Sequence, residues 1–206
     1  MKPILYIPAI QKNIDIRLDK SEISKLPKKL FLAYSIQYKH LAENIKKQLE
    51  TNKIKIVNFQ QVLGCSKISN KDNLPILLVS TGKFHAQNLF LQTPILYTLE
   101  ENKIIKVDEK EIKKIRAHKK TALIKFLKAE KIGILVSTKL GQDNLGKAIR
   151  LKENLEKKGK QAYIFVSNNI DINQFENFDI GAWVNTACPG LSMDSSSVIN
   201  IDEIPK

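Results

Sequence analysis

Short apolar runs alternate along this chain with longer stretches in which apolar residues recur every three or four positions, and that alternation predicts parallel βα units. Runs rich in Ile, Leu, Val and Tyr predict strands at Ile4 to Pro8, Leu30 to Ser35, Lys55 to Val57, Ile76 to Ser80 and Ile95 to Thr98, with a helix over Tyr38 to Glu50. Leu96 to Leu99 and Ile104 to Val107 flank Glu100-Glu101-Asn102-Lys103, whose length and residue types suit a hairpin turn. Glu109 to Glu130 carries Ile112, Ile115, Leu123, Ile124 and Leu127 among charges, the pattern of an amphipathic helix lying on a sheet. The plan then repeats. A strand at Ile132 to Ser137 precedes a helix over Leu145 to Lys158 that Gly159 ends, and a strand at Ala162 to Ser167 follows. A short helix around Ile172 to Phe175 and strands at Ile180 to Asn185 and Val198 to Ile201 complete it. The expected class is α/β, with two similar units of parallel sheet flanked by helices over residues 1–107 and 108–206, and no flexible linker between them.

Composition narrows the partners. The 206 residues carry 34 Lys+Arg against 21 Asp+Glu, a formal net charge of +13. Arg17, Arg116 and Arg150 are the arginines, so the positive charge is lysine spread along the chain. A nucleic-acid binder concentrates charge in a stripe, uses arginine on base edges and adds exposed aromatics, so no direct specific nucleic-acid binding is predicted. Lys46-Lys47, Lys113-Lys114 and Lys157-Lys158 fall on helical patterns and read as solvated faces, with attraction of an acidic or RNA-bound partner as the alternative. The apolar runs fall far short of the roughly 20 residues of a spanning helix. The N-terminal segment has no signal-peptide pattern, and a cytoplasmic location is expected, with no membrane association.

In an open parallel sheet, ligands bind at loops leaving the carboxyl ends of the strands, because helix N-termini and free backbone groups converge there. Four distinctive loops fall at such ends: Gln61 to Ser66, Ser80 to His85, Ser137 to Gln142 and Asn185 to Pro189. They hold both cysteines of the chain. A free cysteine is most often a small buried hydrophobe. Here Gly64 precedes Cys65 and Pro189 follows Cys188, on loops with few apolar neighbours, which suits ligation; a disulfide between the two is the third reading. With His40, His85 and His118 the only histidines and no paired ligand spacing, a self-contained zinc site is disfavoured, and two thiolates cannot hold an iron–sulfur cluster unaided. His85 with Lys83 suits a carboxylate or phosphate, or else caps a helix. The Ser137 to Gln142 loop lacks both glycine-rich nucleotide fingerprints, and hydrolase motifs are absent.

At these same loops the sequence resembles archaeal diphthamide synthase, the iron–sulfur enzyme of the first step of diphthamide biosynthesis. The resemblance rests on Gly64-Cys65 within QVLGCS, on LLVSTGKFHAQNL (Leu77 to Leu89), GILVSTKLGQ (Gly133 to Gln142) and VNTACP (Val184 to Pro189), with Ser35-Ile36-Gln37 in support. It implies three similar α/β units around a central site, each giving one cysteine to a [4Fe–4S] cluster whose open iron binds S-adenosylmethionine. Reductive cleavage then yields a 3-amino-3-carboxypropyl radical that adds to a histidine of translation elongation factor 2. On the matching positions it assigns Cys65 and Cys188 to the metal and Gln37, Gly82, Lys83, His85, Lys139, Gly141 and Gln142 to cofactor binding, and no residue to the catalytic role.

The match covers only the second and third units. The third cysteine is therefore expected from a separate chain carrying the first unit, in a homo- or hetero-oligomer. Gly190 and Asn144 stand where the family tends to carry arginine, and lysine would not replace a lost bidentate clamp. The leading expectation is the C-terminal part of a split synthase. The alternatives are a non-catalytic accessory subunit binding a partner subunit or elongation factor 2, and an unrelated anion-binding module using Lys83, His85 and Lys139.

Overall fold

The computed structural model describes residues 5, 7–12, 14–81, 83–192 and 195–205, apart from the side chains of residues 83, 84 and 176. The chain divides into two compact units, Met1–Ile112 and Lys113–Lys206, and the division falls within one long helix.

Unit 1 holds a short helix α1 (Lys20–Ile23), then β1 (Lys29–Tyr34), α2 (Lys39–Thr51), β2 (Lys55–Gln61), β3 (Ile76–Val79), α3 (Lys83–Leu89) and the strands β4 (Leu96–Glu100) and β5 (Lys103–Lys106). Its sheet runs β2-β1-β3-β4-β5, parallel except for the antiparallel β4–β5 pair. Glu101 makes that hairpin turn in the left-handed region, at φ 52°. Leu41, Ala42, Ile45 and Leu49 form the buried stripe of α2 and pack with Leu30 and Leu32 of β1.

Unit 2 takes in the greater part of α4 (Glu109–Lys128), followed by β6 (Lys131–Ser137), α5 (Leu145–Lys157), β7 (Gln161–Ser167), β8 (Ala182–Asn185) and β9 (Val198–Asn200). The sheet order β7-β6-β8-β9 is all parallel and repeats the 2-1-3-4 order of unit 1. Gly159, at φ 79°, ends α5: its N–H donates to the Glu156 carbonyl, and the Lys160 N–H reaches back to that of Leu155. On one face of the sheet Ala148 and Leu155 of α5 pack with Ile132, Ile134 and Val184. On the other, Trp183 stacks on Phe175 at 4.2 Å and meets Phe165 edge-on. Gly133 is demanded by this packing, because a Cβ there would sit 2.3 Å from the indole ring.

The α/β class is as expected, with four corrections. The described residues of the Ile4 to Pro8 stretch form no strand: Leu5, Ile7 and Pro8 are coil, Leu5 and Ile7 are 83% and 80% exposed, and Ile4 and Tyr6 lie outside the described residues. An apolar run makes a strand only where a neighbour completes its ladder. Lys83, Phe84 and His85 are not loop residues but open α3, whose seven residues are too short to show a helical period. β2 runs on to Gln61, past the expected end at Val57, because its pairing with β1 continues to Tyr34↔Gln61 through polar residues. The short helix expected at Ile172 to Phe175 is a 3-10 helix over Ile172–Asn177. No described helix is long and apolar enough to cross a membrane.

Candidate functional site

In each unit the first strand lies inside the sheet, with the second strand on one side and the third on the other. The chain therefore leaves the first strand in opposite directions, and the crevice at the carboxyl ends opens there. In unit 1 this edge is built from the loops after β1, β2 and β3.

Ser35 ends β1, with its N–H on the Val79 carbonyl of β3. Gln37 follows in a 3-10 turn (Ile36–Tyr38); it is exposed, and its carbonyl accepts the Gln11 N–H at 2.9 Å. The Tyr38 hydroxyl meets Thr81 Oγ1 at 3.2 Å, tying the loop after β1 to the loop after β3. Within that second loop Ser80 Oγ and His85 Nδ1 lie 3.1 Å apart. Burial lowers the His85 pKa below its ordinary 6.5, opposed by a weaker backbone hydrogen bond at Thr81, so the neutral imidazole is favoured. Gly82 and the Lys83 side chain lie outside the described residues. Ser35 Oγ is buried without a hydrogen-bond partner, a cost of about 1–3 kcal/mol that a core position seldom carries.

Cys65 is exposed, on the turn leaving the outer strand β2. The Leu63 N–H donates to Ser66 Oγ at 2.8 Å, and the Ser66 N–H returns to the Leu63 carbonyl at 3.0 Å. From behind, Asn88 Nδ2 of α3 and Gln92 Nε2 both donate to the Ser66 carbonyl, at 2.8 and 3.0 Å.

In unit 2 the loop after β6 carries Lys139, exposed, then Gly141 at φ 77°, and then half-buried Gln142, whose N–H donates to the Lys139 carbonyl at 3.0 Å. A left-handed turn at that angle is natural to glycine. Asn144 donates to the Thr186 carbonyl at 2.7 Å, joining this loop to the one that carries Cys188. Thr186 is itself held by Leu135: its N–H and Oγ1 both donate to that carbonyl. Cys188 is half-buried, and its carbonyl accepts Asn185 Nδ2 at 2.8 Å and the Leu191 N–H at 3.1 Å.

Gln37, Cys65 and His85 thus share the carboxyl edge of unit 1, while Lys139, Gly141, Gln142 and Cys188 share that of unit 2. Both cysteines are free, and an exposed Cys65 is no packing residue. Among the described residues no group of three His, Cys, Asp or Glu could hold a metal ion, so the donor set in this chain is two thiols on separate units and falls short of the three or four a cluster takes. Sequence reasoning missed Tyr38, Ser192 and Asn200 as site residues, and gave no role to Thr81 and Asn185 within the loops it singled out. The signal for the asparagines lies in two apolar runs, Trp183-Val184 and Val198-Ile199, that each end in Asn.

The family model described as putative diphthamide synthesis protein matches residues 1–199. The chain is 27% identical over 216 aligned positions to the 2-(3-amino-3-carboxypropyl)histidine synthase of Pyrococcus horikoshii, covering 93% of this chain and 60% of that relative. It is 31% identical to subunit 1 of the Schizosaccharomyces pombe synthase over 144 positions, 65% of this chain and 32% of the relative. The crystal structure of Dph2 from Pyrococcus horikoshii superposes with a TM-score of 0.71 at 26% identity, over 89% of this chain and 58% of that one. The structure of the same protein with a 4Fe-4S cluster superposes at 0.70. The chain therefore spans about 60% of the length of the Pyrococcus relative it matches.

Proposed function

This chain belongs to the diphthamide synthesis family, and from that premise we propose that it is the C-terminal portion of a synthase that transfers the 3-amino-3-carboxypropyl group of S-adenosylmethionine to a histidine of translation elongation factor 2. Cys65 and Cys188 are two thiolate ligands of a [4Fe–4S] cluster, and a separate chain brings the first unit with the third. When bound, the cluster supplies an open iron and the electron for radical cleavage of the sulfonium. Everything else falls to the polypeptide. Gln37, with Gly82, Lys83 and His85 of the β3 loop, and Lys139, Gly141 and Gln142 of the β6 loop, bind and orient the polar groups of S-adenosylmethionine. A neutral His85 joined to Ser80 serves as a hydrogen-bonding group rather than a cation. Because Asn144 is already bonded to the Thr186 carbonyl, it does not replace an arginine clamp, and the lysines carry the attraction for the cofactor carboxylate.

The observation that carries this reading is the pair of free cysteines on carboxyl-edge turns, too few for a cluster by themselves. Leu63 beside Cys65 and Leu140 beside Lys139, 53% and 75% exposed, fit edges that another chain covers. The shortage of ligands equally favours a second reading, a non-catalytic subunit that binds a sister subunit or the elongation factor. Anaerobic co-expression with a chain resembling the first unit, then iron counting and electron paramagnetic resonance after reduction, separates the two. The split enzyme gives about four irons and a reducible cluster only in the pair. Absence of iron under both conditions leaves the accessory subunit.

A further inference from the structure

We propose that Asn185 and Asn200 are positioning residues that set the Cys188 turn in one conformation before any metal arrives. The two end adjacent parallel strands and stand opposite each other in register. They are 1% and 8% exposed, and their carboxamides are used almost completely. Asn185 Nδ2 donates to Asn200 Oδ1 and to the Cys188 carbonyl, both at 2.8 Å, while Asn185 Oδ1 accepts the Ala187 N–H at 2.9 Å. Asn200 Nδ2 donates to Ser192 Oγ at 2.6 Å, and Ser192 Oγ donates to the Pro189 carbonyl at 3.0 Å. Two side chains therefore reach the peptide group after Cys188, the one that precedes Ala187, and both ends of the 3-10 turn Pro189–Ser192 that follows.

The turn needs an outside brace. Pro189 has no N–H to anchor, and neither Ala187 nor Pro189 brings a polar side chain. The Cys188 carbonyl takes the Leu191 N–H as well as Asn185 Nδ2, so both its lone pairs are engaged and the peptide plane after the cysteine is fixed. A satisfied buried network of this kind selects one conformation, because any other would strand several polar atoms in the interior. Glu203, paired with Lys119 of α4, lies 3.4 Å from the Asn200 N–H and extends the brace. Leucine at position 200 would match the volume and supply no donor or acceptor; aspartate would lose the donor to Ser192 and add a charge beside Glu203.

The purpose of the brace rests on the proposed role of Cys188 as a thiolate ligand; the brace itself does not. The test uses the full chain with Cys65→Ser, in which Cys188 is the single thiol, and measures its alkylation rate by iodoacetamide well below the melting temperature. Asn200→Leu is expected to raise that rate about threefold or more, since thiol reactivity follows access, and Ser192→Ala to raise it less. Leu155→Ala, a buried position on α5 away from the turn, is expected to lower the melting temperature and leave the rate unchanged. An unchanged rate in Asn200→Leu, or an equal rise in Leu155→Ala, overturns the proposal. If Asn200→Leu does not fold, Ser192→Ala against Leu155→Ala decides it. In the assembled enzyme Asn200→Leu should also weaken iron retention about tenfold. Faster alkylation with undiminished iron retention would keep the positioning of the turn and show that metal retention does not depend on it.

Discussion

The turn with Cys65 leaves an outer strand, β2, whereas the turn with Cys188 leaves an inner one, β8, flanked by β6 and β9. That difference in strand position decides how each thiol is held. Cys188 has a neighbouring strand on the far side, so a residue of β9 can reach across in register and fix the turn through buried carboxamides. Among the described residues no strand lies beyond β2, so the Cys65 turn is fastened by Asn88 and Gln92 on the Ser66 carbonyl, and the cysteine stays exposed. Units with the same sheet order thus present one half-buried thiol and one exposed thiol. The lesson is that the neighbours of a strand, more than the residues of its loop, set how rigidly a ligand at its end is presented.

The largest effect should come from the thiols themselves. Cys188→Ala or Cys65→Ala in the assembled enzyme is expected to abolish the intact cluster, read as loss of [4Fe–4S] absorbance and iron; full absorbance in either would remove that residue as a ligand. In the isolated chain Cys65→Ala should leave the melting temperature unchanged, because the side chain is exposed.

Next in size is Gly133→Ala. Its Cβ would overlap the Trp183 indole, and overpacking of this kind costs about 1–3 kcal/mol or more, so unit 2 should melt earlier while unit 1 keeps its transition. A melting curve unaltered by the methyl group would show that the aromatic face relaxes freely.

The two braces are then compared directly. Asn185→Ala strands buried partners and should cost about 2–3 kcal/mol, against about 1 kcal/mol for the part-buried Asn88→Ala, both measured by denaturant unfolding. Equal losses would erase the distinction between inner and outer turns.

Smallest is a pH effect confined to unit 1. The His85 pKa is lower in the folded chain than in the unfolded one, so the unfolded state takes up a proton more readily as the pH falls. His85 therefore favours the folded state fully above the ordinary imidazole range and loses that contribution as the pH drops through the folded pKa. Protection factors in α3, taken relative to the intrinsic exchange rate at each pH, should fall on acidification, and His85→Gln should flatten the fall.

Much of the scaffold was legible in the chain. The apolar runs Leu30 to Tyr34, Ile76 to Val79 and Ile132 to Val136 are buried strands of the kind a parallel sheet needs, and Gly159 ends its helix as such a glycine should. The loops bearing both cysteines could be read as carboxyl-edge loops from strand order alone. Other elements were not legible because they depend on partners distant in sequence. The described residues of the N-terminal apolar run join no sheet, β2 was extended by its pairing, and α3 was too short for a period.

The sequence by itself therefore determined the α/β class, the repeated unit and the identity of the residues at the loops, because burial and periodicity act locally along each element. Only the tertiary structure decided that Asn200 faces Asn185, that Trp183 lies over Gly133, that Tyr38 meets Thr81, and that one thiol is braced and the other exposed. Each of those follows from strand register and sheet order, which bring together residues far apart in the chain and leave no mark in any local pattern.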